Sequence, residues 1–178
     1  MARSTFNGPV RSLNGFISTG NNMAQAIATG TTDASSSVDT YQGKVNTFTN
    51  LTSIFNLPEI VTDSGTLSKT SPGTTSTIGY EYSFLCNETL SGNTFTLNAG
   101  TAAGRSTADV FQGTASYVDT GDNSMEGFHA AGADTLTLDG STRGGLGGSI
   151  VYCRAAADGI WLIDCALNGS GTMVTPWS

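Results

Sequence analysis

Apolar and polar positions alternate with a period of two in short runs along the C-terminal two thirds of the chain. Tyr80-Glu81-Tyr82-Ser83-Phe84, within Thr77 to Cys86, is the clearest of them. Thr94-Phe95-Thr96-Leu97 alternates and stops at Asn98-Ala99-Gly100, and Thr135-Leu136-Thr137-Leu138 alternates and stops at Asp139-Gly140. Val110 to Val118 is a weaker run interrupted by Gly113. Ile60-Val61-Thr62 and Thr66-Leu67-Ser68 are shorter ones, followed by a turn at Ser71-Pro72-Gly73. A two-residue period is the signature of a strand with one covered face, and Gly, Asn and Asp at the ends of the runs supply turns. Short strands separated by such turns predict an all-β protein: a β-sandwich or jelly-roll-like domain.

The strongest local signal closes the chain. Ile150 to Ala157 and Ile160 to Leu167 are β-rich runs joined by Asp158-Gly159, a pair suited to a type I′ turn with positive φ at both central residues. A two-residue turn pairs Ala157 with Ile160, Arg154 with Ile163, Tyr152 with Cys165 and Ile150 with Leu167. Trp161, Ile163, Cys165 and Leu167 then share a face with Ile150 and Tyr152. Val151, Cys153, Ile160 and Leu162 occupy the other. Both faces read as mostly apolar, which predicts a hairpin covered on both sides and a role in packing and assembly.

Residues 1–58 have a different texture. Up to Thr32 the charged residues are Arg3 and Arg11, and short apolar units such as Phe6, Leu13 and Phe16-Ile17 stand between Gly, Asn and Pro breakers. This predicts an extended N-terminal arm and transition segment over 1–58, followed by a β-sandwich domain over 59–178. The arm's candidate interaction residues are Arg3, Phe6, Arg11 and Phe16: aromatic anchors, and guanidinium forks suited to carboxylates and carbonyls. A disordered tail is the alternative, and the spaced aromatics argue against it. Two short helical readings fall in this region. Asn22 to Ala28 could make two turns, and Phe48, Leu51, Ile54, Phe55 and Leu57 form a stripe that Pro58 would end.

Composition narrows the function. Charged residues are 12% of the chain, Gly numbers 23, and the formal net charge is −7. Scarce charge fits a surface that is partly buried in an assembly. Lys44 and Lys69 are isolated and the five arginines are scattered, so no basic patch predicts a direct nucleic-acid partner. No apolar run is long enough for a membrane-spanning helix, and the first residues lack the apolar stretch of a secretory signal. The expectation is therefore a protein made and used without export or membrane insertion. Three cysteines, Cys86, Cys153 and Cys165, with no export signal predict free buried thiols.

Candidate chemistry is sparse. Asp119, Asp122 and Glu126 lie in one loop, where carboxylates could hold a cation or simply make a turn. His129, the sole histidine, has no Gly-x-Ser-x-Gly elbow to serve, and reads as a loop or interface residue. Gly140 to Gly148 lacks the Gly-Lys-Ser/Thr of a phosphate loop and reads as a flexible connection that allows close backbone approach. Trp177 is either an anchor on a neighbour or a strand end. No enzyme, cofactor or metal is expected from these residues.

The opening Met1-Ala2-Arg3-Ser4-Thr5-Phe6-Asn7-Gly8-Pro9-Val10-Arg11-Ser12-Leu13-Asn14-Gly15-Phe16 resembles the starts of small structural proteins of tailed bacteriophages. Phe95 to Arg105 and the closing hairpin look like the β-sandwich modules of capsid decoration (cement) proteins and head fibres. The resemblance implies a virion structural protein made in the host cytoplasm. It would bind the outer surface of an icosahedral phage capsid and stabilise it by bridging capsomers. The implied partners are the major capsid protein and sister copies, a homotrimer ahead of a dimer. The alternative is a carbohydrate- or receptor-binding module of a fibre, which should show exposed aromatics in a groove with polar partners.

Overall fold

In the computed structural model the described residues are 24–34, 41–60, 78–100 and 109–178. They form eleven strands: β1 (Ala24–Ala26), β2 (Gly30–Asp33), β3 (Val45–Phe48), β4 (Ser53–Asn56), β5 (Glu81–Cys86), β6 (Phe95–Asn98), β7 (Val110–Asp119), β8 (Met125–Ala133), β9 (Thr135–Leu138), β10 (Ile150–Ala157) and β11 (Ile160–Gly169). Two sheets result, a seven-stranded one in the order β1-β3-β5-β10-β11-β7-β8 and a four-stranded one in the order β2-β4-β6-β9. The all-β expectation holds, and the two-sheet arrangement is that of a sandwich.

The first six strands alternate between the sheets and pair in parallel within each: β1 with β3 and β3 with β5 on one side, β2 with β4 and β4 with β6 on the other. The chain thus climbs through three stacked rungs. The inward residues of successive rungs meet as an aromatic seam. Phe48 of β3 stacks on Phe95 of β6 with ring centres 4.1 Å apart, and Phe55 of β4 meets Phe84 of β5 edge-on at 4.9 Å. Tyr82 continues the seam to Trp161 on β11, 5.8 Å away. Such ring contacts add stabilisation beyond simple burial. A polar column stacks beside them. Asn98 donates its amide to Asn56 Oδ1 at 2.8 Å, and Thr135 donates its hydroxyl to Asn98 Oδ1 at 3.2 Å.

This weave corrects the boundary drawn at residue 58. β3 and β4 lie inside the two sheets, with Phe48, Phe55 and Leu57 almost wholly buried, so this part of the transition segment belongs to the sandwich. The helical stripe over Phe48 to Leu57 is also overturned. The turn at Thr49–Thr52 divides it into two four-residue strands, each buried at every second position. The short helix expected within 22–28 is a strand at Ala24–Ala26, because backbone pairing with β3 outweighs the local preference of alanine. The runs expected at Val61-Thr62 and Thr66–Ser68 and the turn at Ser71–Gly73 lie outside the described residues.

The remaining strands close the sandwich. β10 pairs antiparallel with β5 and β11, β7 runs parallel to β11, and β8 pairs antiparallel with β7. Gly113 allows β7 to sit against β11. A Cβ there would lie 1.8 Å from the Ile163 carbonyl oxygen, and its φ is 151°. The last residues cover the free side of β9. Thr137 N–H donates to Pro176 O at 2.9 Å, and Ser178 N–H donates to Thr135 O at 3.0 Å. Trp177, bridged to Leu136 and packed near Phe111, is therefore a strand end.

The closing hairpin is present, with a different register. Gly159 takes positive φ (70°) but Asp158 does not, and the pairing slips between Ala155 and Ala157. The bulge inserts one residue, Ala156, and a slip of one residue exchanges the faces of everything beyond it. Val151, Cys153, Ala155, Trp161, Ile163, Cys165 and Leu167 all point into the core. Ile150, Tyr152, Arg154, Leu162, Asp164 and Ala166 form the opposite face, which is exposed. The hairpin is covered on one side within the chain.

Candidate functional site

That exposed face is the outer surface of the seven-stranded sheet. Strand register lays its side chains out in rows. One row runs Thr47, Leu85, Ile150, Ala166, Ser116 across β3, β5, β10, β11 and β7. The next runs Val45, Ser83, Tyr152, Asp164, Thr114 and ends at His129 on β8. A third runs Glu81, Arg154, Leu162, Gln112. Ile150 and Leu162 are each 47% exposed, Val45 42% and Tyr152 37%, with Leu85 half-buried among them. Adjacent strands lie about 4.8 Å apart, so these residues spread over about 15 Å across one sheet face, interleaved with Ser83, Arg154 and Asp164. Four large apolar side chains exposed on one sheet face mark an interaction surface more than exposure scattered over the molecule does.

Charge is interleaved with these side chains. Arg154 Nε lies 3.7 Å from Glu81 Oε1, and both side chains are about half exposed, so the pair orients more than it stabilises. The Tyr152 phenol is held above its ordinary pKa, first by desolvation, then by its hydrogen bond to Glu81 and that residue's charge. Tyr152, Glu81 and Arg154 thus form a small polar cluster beside Ile150 and Leu162. Asp164, between Tyr152 and Thr114, is the acid at the centre of the face.

The other candidates serve the backbone. Asp119 Oδ1 accepts the Gly121 N–H at 2.7 Å, and Asp122 Oδ1 accepts the Ser124 N–H at 2.8 Å, in the tight turn from β7 to β8. The hydrogen bonds from Ser124 hold the Asp122 carboxyl below its usual pKa. Among the described residues no group of three or more His, Cys, Asp and Glu is placed to hold a metal ion. His129 is on an edge strand, not in a loop; it faces Thr114 beside an open depression of about 430 Å³ lined also by Gln112 and Ala130–Gly132.

The glycine-rich segment is pinned rather than loose. Asp139 Oδ1 accepts the N–H groups of Ser141 and Arg143 at 2.8 and 2.9 Å, and Gly140 presses so closely on Leu90 that a Cβ would meet its carbonyl oxygen at 1.6 Å. Ser149 Oγ accepts from Asn168 N–H at 3.0 Å and donates to Leu146 O at 2.8 Å, tying the loop to β11.

The three cysteines are free and buried. Cys153 and Cys165 lie on the same inner face, paired with Ile163 and Val151 respectively, which corrects the expectation that they point to opposite sides. Burial pushes both thiols up, and Cys86 rises to about 11, its burial outweighing the backbone hydrogen bonds.

Arg3, Phe6, Arg11 and Phe16 lie outside the described residues; the sandwich face is a further candidate surface, found among the described ones. Sequence reasoning missed it because the bulge at Ala156 hid which side of the hairpin faces outward. The signal available was Arg154 and Asp164, charges two strands share on one face only. Compared with protein-family models, curated proteins and solved structures, the chain matches none.

Proposed function

We propose that this chain is a virion structural protein that binds the outer surface of an icosahedral phage capsid and bridges capsomers, with the major capsid protein as its partner. The observation that supports docking is the outer face of the seven-stranded sheet, where Val45, Ile150, Tyr152 and Leu162 stand exposed together. The capsid as the docking target rests on the resemblance of residues 1–16 and of the sandwich segments to phage structural proteins. A broad, shallow sheet face suits a broad protein partner, and the charges set among its apolar side chains give register. A glycan reader would present several exposed aromatics along a groove. Among the described residues Tyr152 is the one large aromatic on the exposed side, which favours the protein partner.

The test is binding to heads assembled without the chain. Ile150→Asp with Leu162→Asp places carboxylates in the centre of the face without touching the core. Each residue has about half its surface left to bury, worth about 1 kcal/mol apiece before the cost of desolvating a charge. Occupancy is expected to fall at least tenfold at limiting concentration. Removing residues 1–23, which spares β1 and β2, is expected to lower it separately. Unchanged occupancy for the double variant would overturn the assignment of this face.

A further inference from the structure

We propose that β8 pairs antiparallel with β8 of a second copy, about a two-fold axis at Phe128, to make one continuous fourteen-stranded sheet. The inference does not depend on the capsid reading.

Among the described residues, β8 is the long open edge. It is the last strand of its sheet, nine residues from Met125 to Ala133, and no backbone hydrogen bond leaves its outward side among the described residues. The neighbouring edge is treated differently: β9 is closed by Pro176–Ser178. The edges at the other end, β1 and β2, are three and four residues long. Natural proteins guard exposed edges with lysine, proline, short strands or bulges, because unpaired N–H and C=O groups accept another strand. β8 has no lysine and no proline, and its bulge comes at Gly132, near its end.

The second copy is chosen by the sequence of the strand. The regular part of β8, before the bulge, is Met125–Ala131, and its midpoint is Phe128. A two-fold there keeps the outer face outward in both copies. Met125 then faces Ala131, Glu126 faces Ala130 and Gly127 faces His129 across the pair. Away from the central Phe128 pair, every large or charged side chain meets a small one, and no charge meets its like. Shifting the axis to His129 sets the two histidines against each other and runs the pairing into the bulge. At Phe128 the half-buried rings, each already edge-on to Tyr117 at 5.3 Å, close over one another. A two-fold gives a dimer, where the resemblance to phage structural proteins implies a trimer first. It also lays two docking faces side by side, so a dimer can engage a repeating surface twice.

Cysteine pairing reads the register directly, since Cys86, Cys153 and Cys165 are buried and silent. Residues facing each other across an antiparallel pair have Cα atoms about 4.5–5.5 Å apart, within reach of a disulfide. Phe128→Cys is expected to form a disulfide dimer in most molecules under mild oxidation at micromolar concentration. Met125→Cys, whose copies lie about 20 Å apart in this register, is expected to give less than about a tenth as much. Should Phe128→Cys fold poorly, a mixture of Gly127→Cys with His129→Cys, both exposed positions, is expected to form the mixed disulfide in excess of either self-pair. Equal crosslinking at 125 and 128, no mixed excess, or a wild-type chain that sediments only as a monomer at tens of micromolar would overturn the proposal.

Discussion

Leu162 and Ile163 are neighbours in β11 with opposite fates, and substituting each by alanine tests the register on which the docking face depends. Ile163 is 3% exposed and packs in the core, while Leu162 is 47% exposed on the outer face. Ile163→Ala removes buried carbons and leaves a space bounded by β7 and β10, and such changes cost 2–5 kcal/mol; about 3 is expected here. Leu162→Ala removes three carbons that are only about half covered. At roughly 0.8 kcal/mol per fully buried carbon the loss is about 1 kcal/mol, and water fills the gap so no cavity remains. Urea unfolding followed by the fluorescence of the buried Trp161, at a dilution where the chain is monomeric, reads the difference. With a slope of about 2 kcal/mol per molar urea, the midpoints should separate by about 1 M. Equal losses at the two positions would refute the assignment. They would mean that both faces of the hairpin are covered within the chain.

Gly113→Ala should destabilise the fold by at least about 3 kcal/mol, because its Cβ would meet the Ile163 carbonyl at 1.8 Å in a conformation alanine avoids; a thermal midpoint within a degree or two of wild type would contradict the tight β7–β11 contact. The thiols give a pH dependence of definite sign. Cys86 rises from 9.0 to about 11 in the folded chain, and Cys153 and Cys165 are raised as well, so the unfolded state loses these protons first. Stability is therefore expected to be full below about pH 9 and to fall as the pH climbs from 9 towards 11. A flat or rising profile between pH 8.5 and 10.5 would count against it, as would native thiols that react with a thiol reagent at pH 8.

The strands that were legible in the sequence are those with one covered and one wet face. Tyr82, Phe84 and Cys86 against Glu81, Ser83 and Leu85 mark β5; Phe95 and Leu97 mark β6; Leu136 and Leu138 mark β9. β1 and β2 were not legible because Ala-Gln-Ala and Gly-Thr-Thr-Asp carry no large apolar residue to set a period; β3 and β4 were not because Phe48, Ile54, Phe55 and Leu57 also fit a helical stripe, and their parallel partners lie far along the chain. β8 was missed for another reason. Met-Glu-Gly-Phe-His-Ala-Ala-Gly-Ala has no apolar alternation, since an edge strand that buries little besides Ala130 leaves almost no pattern. The docking face depended on a detail below the resolution of pattern reading. The Asp-Gly pair correctly located the turn, but a single bulged alanine decided which side of Ile150, Tyr152 and Leu162 met water.

Electron cryomicroscopy of a virion that carries the chain tests the central claim most directly. The account predicts density for the sandwich on the outside of the head, at a junction between capsomers. The outer face of the seven-stranded sheet, with Val45, Ile150, Tyr152 and Leu162, should be turned towards the capsid protein. A sandwich located on the tail, absent from the particle, or seated on the head with that face open to solvent would contradict it.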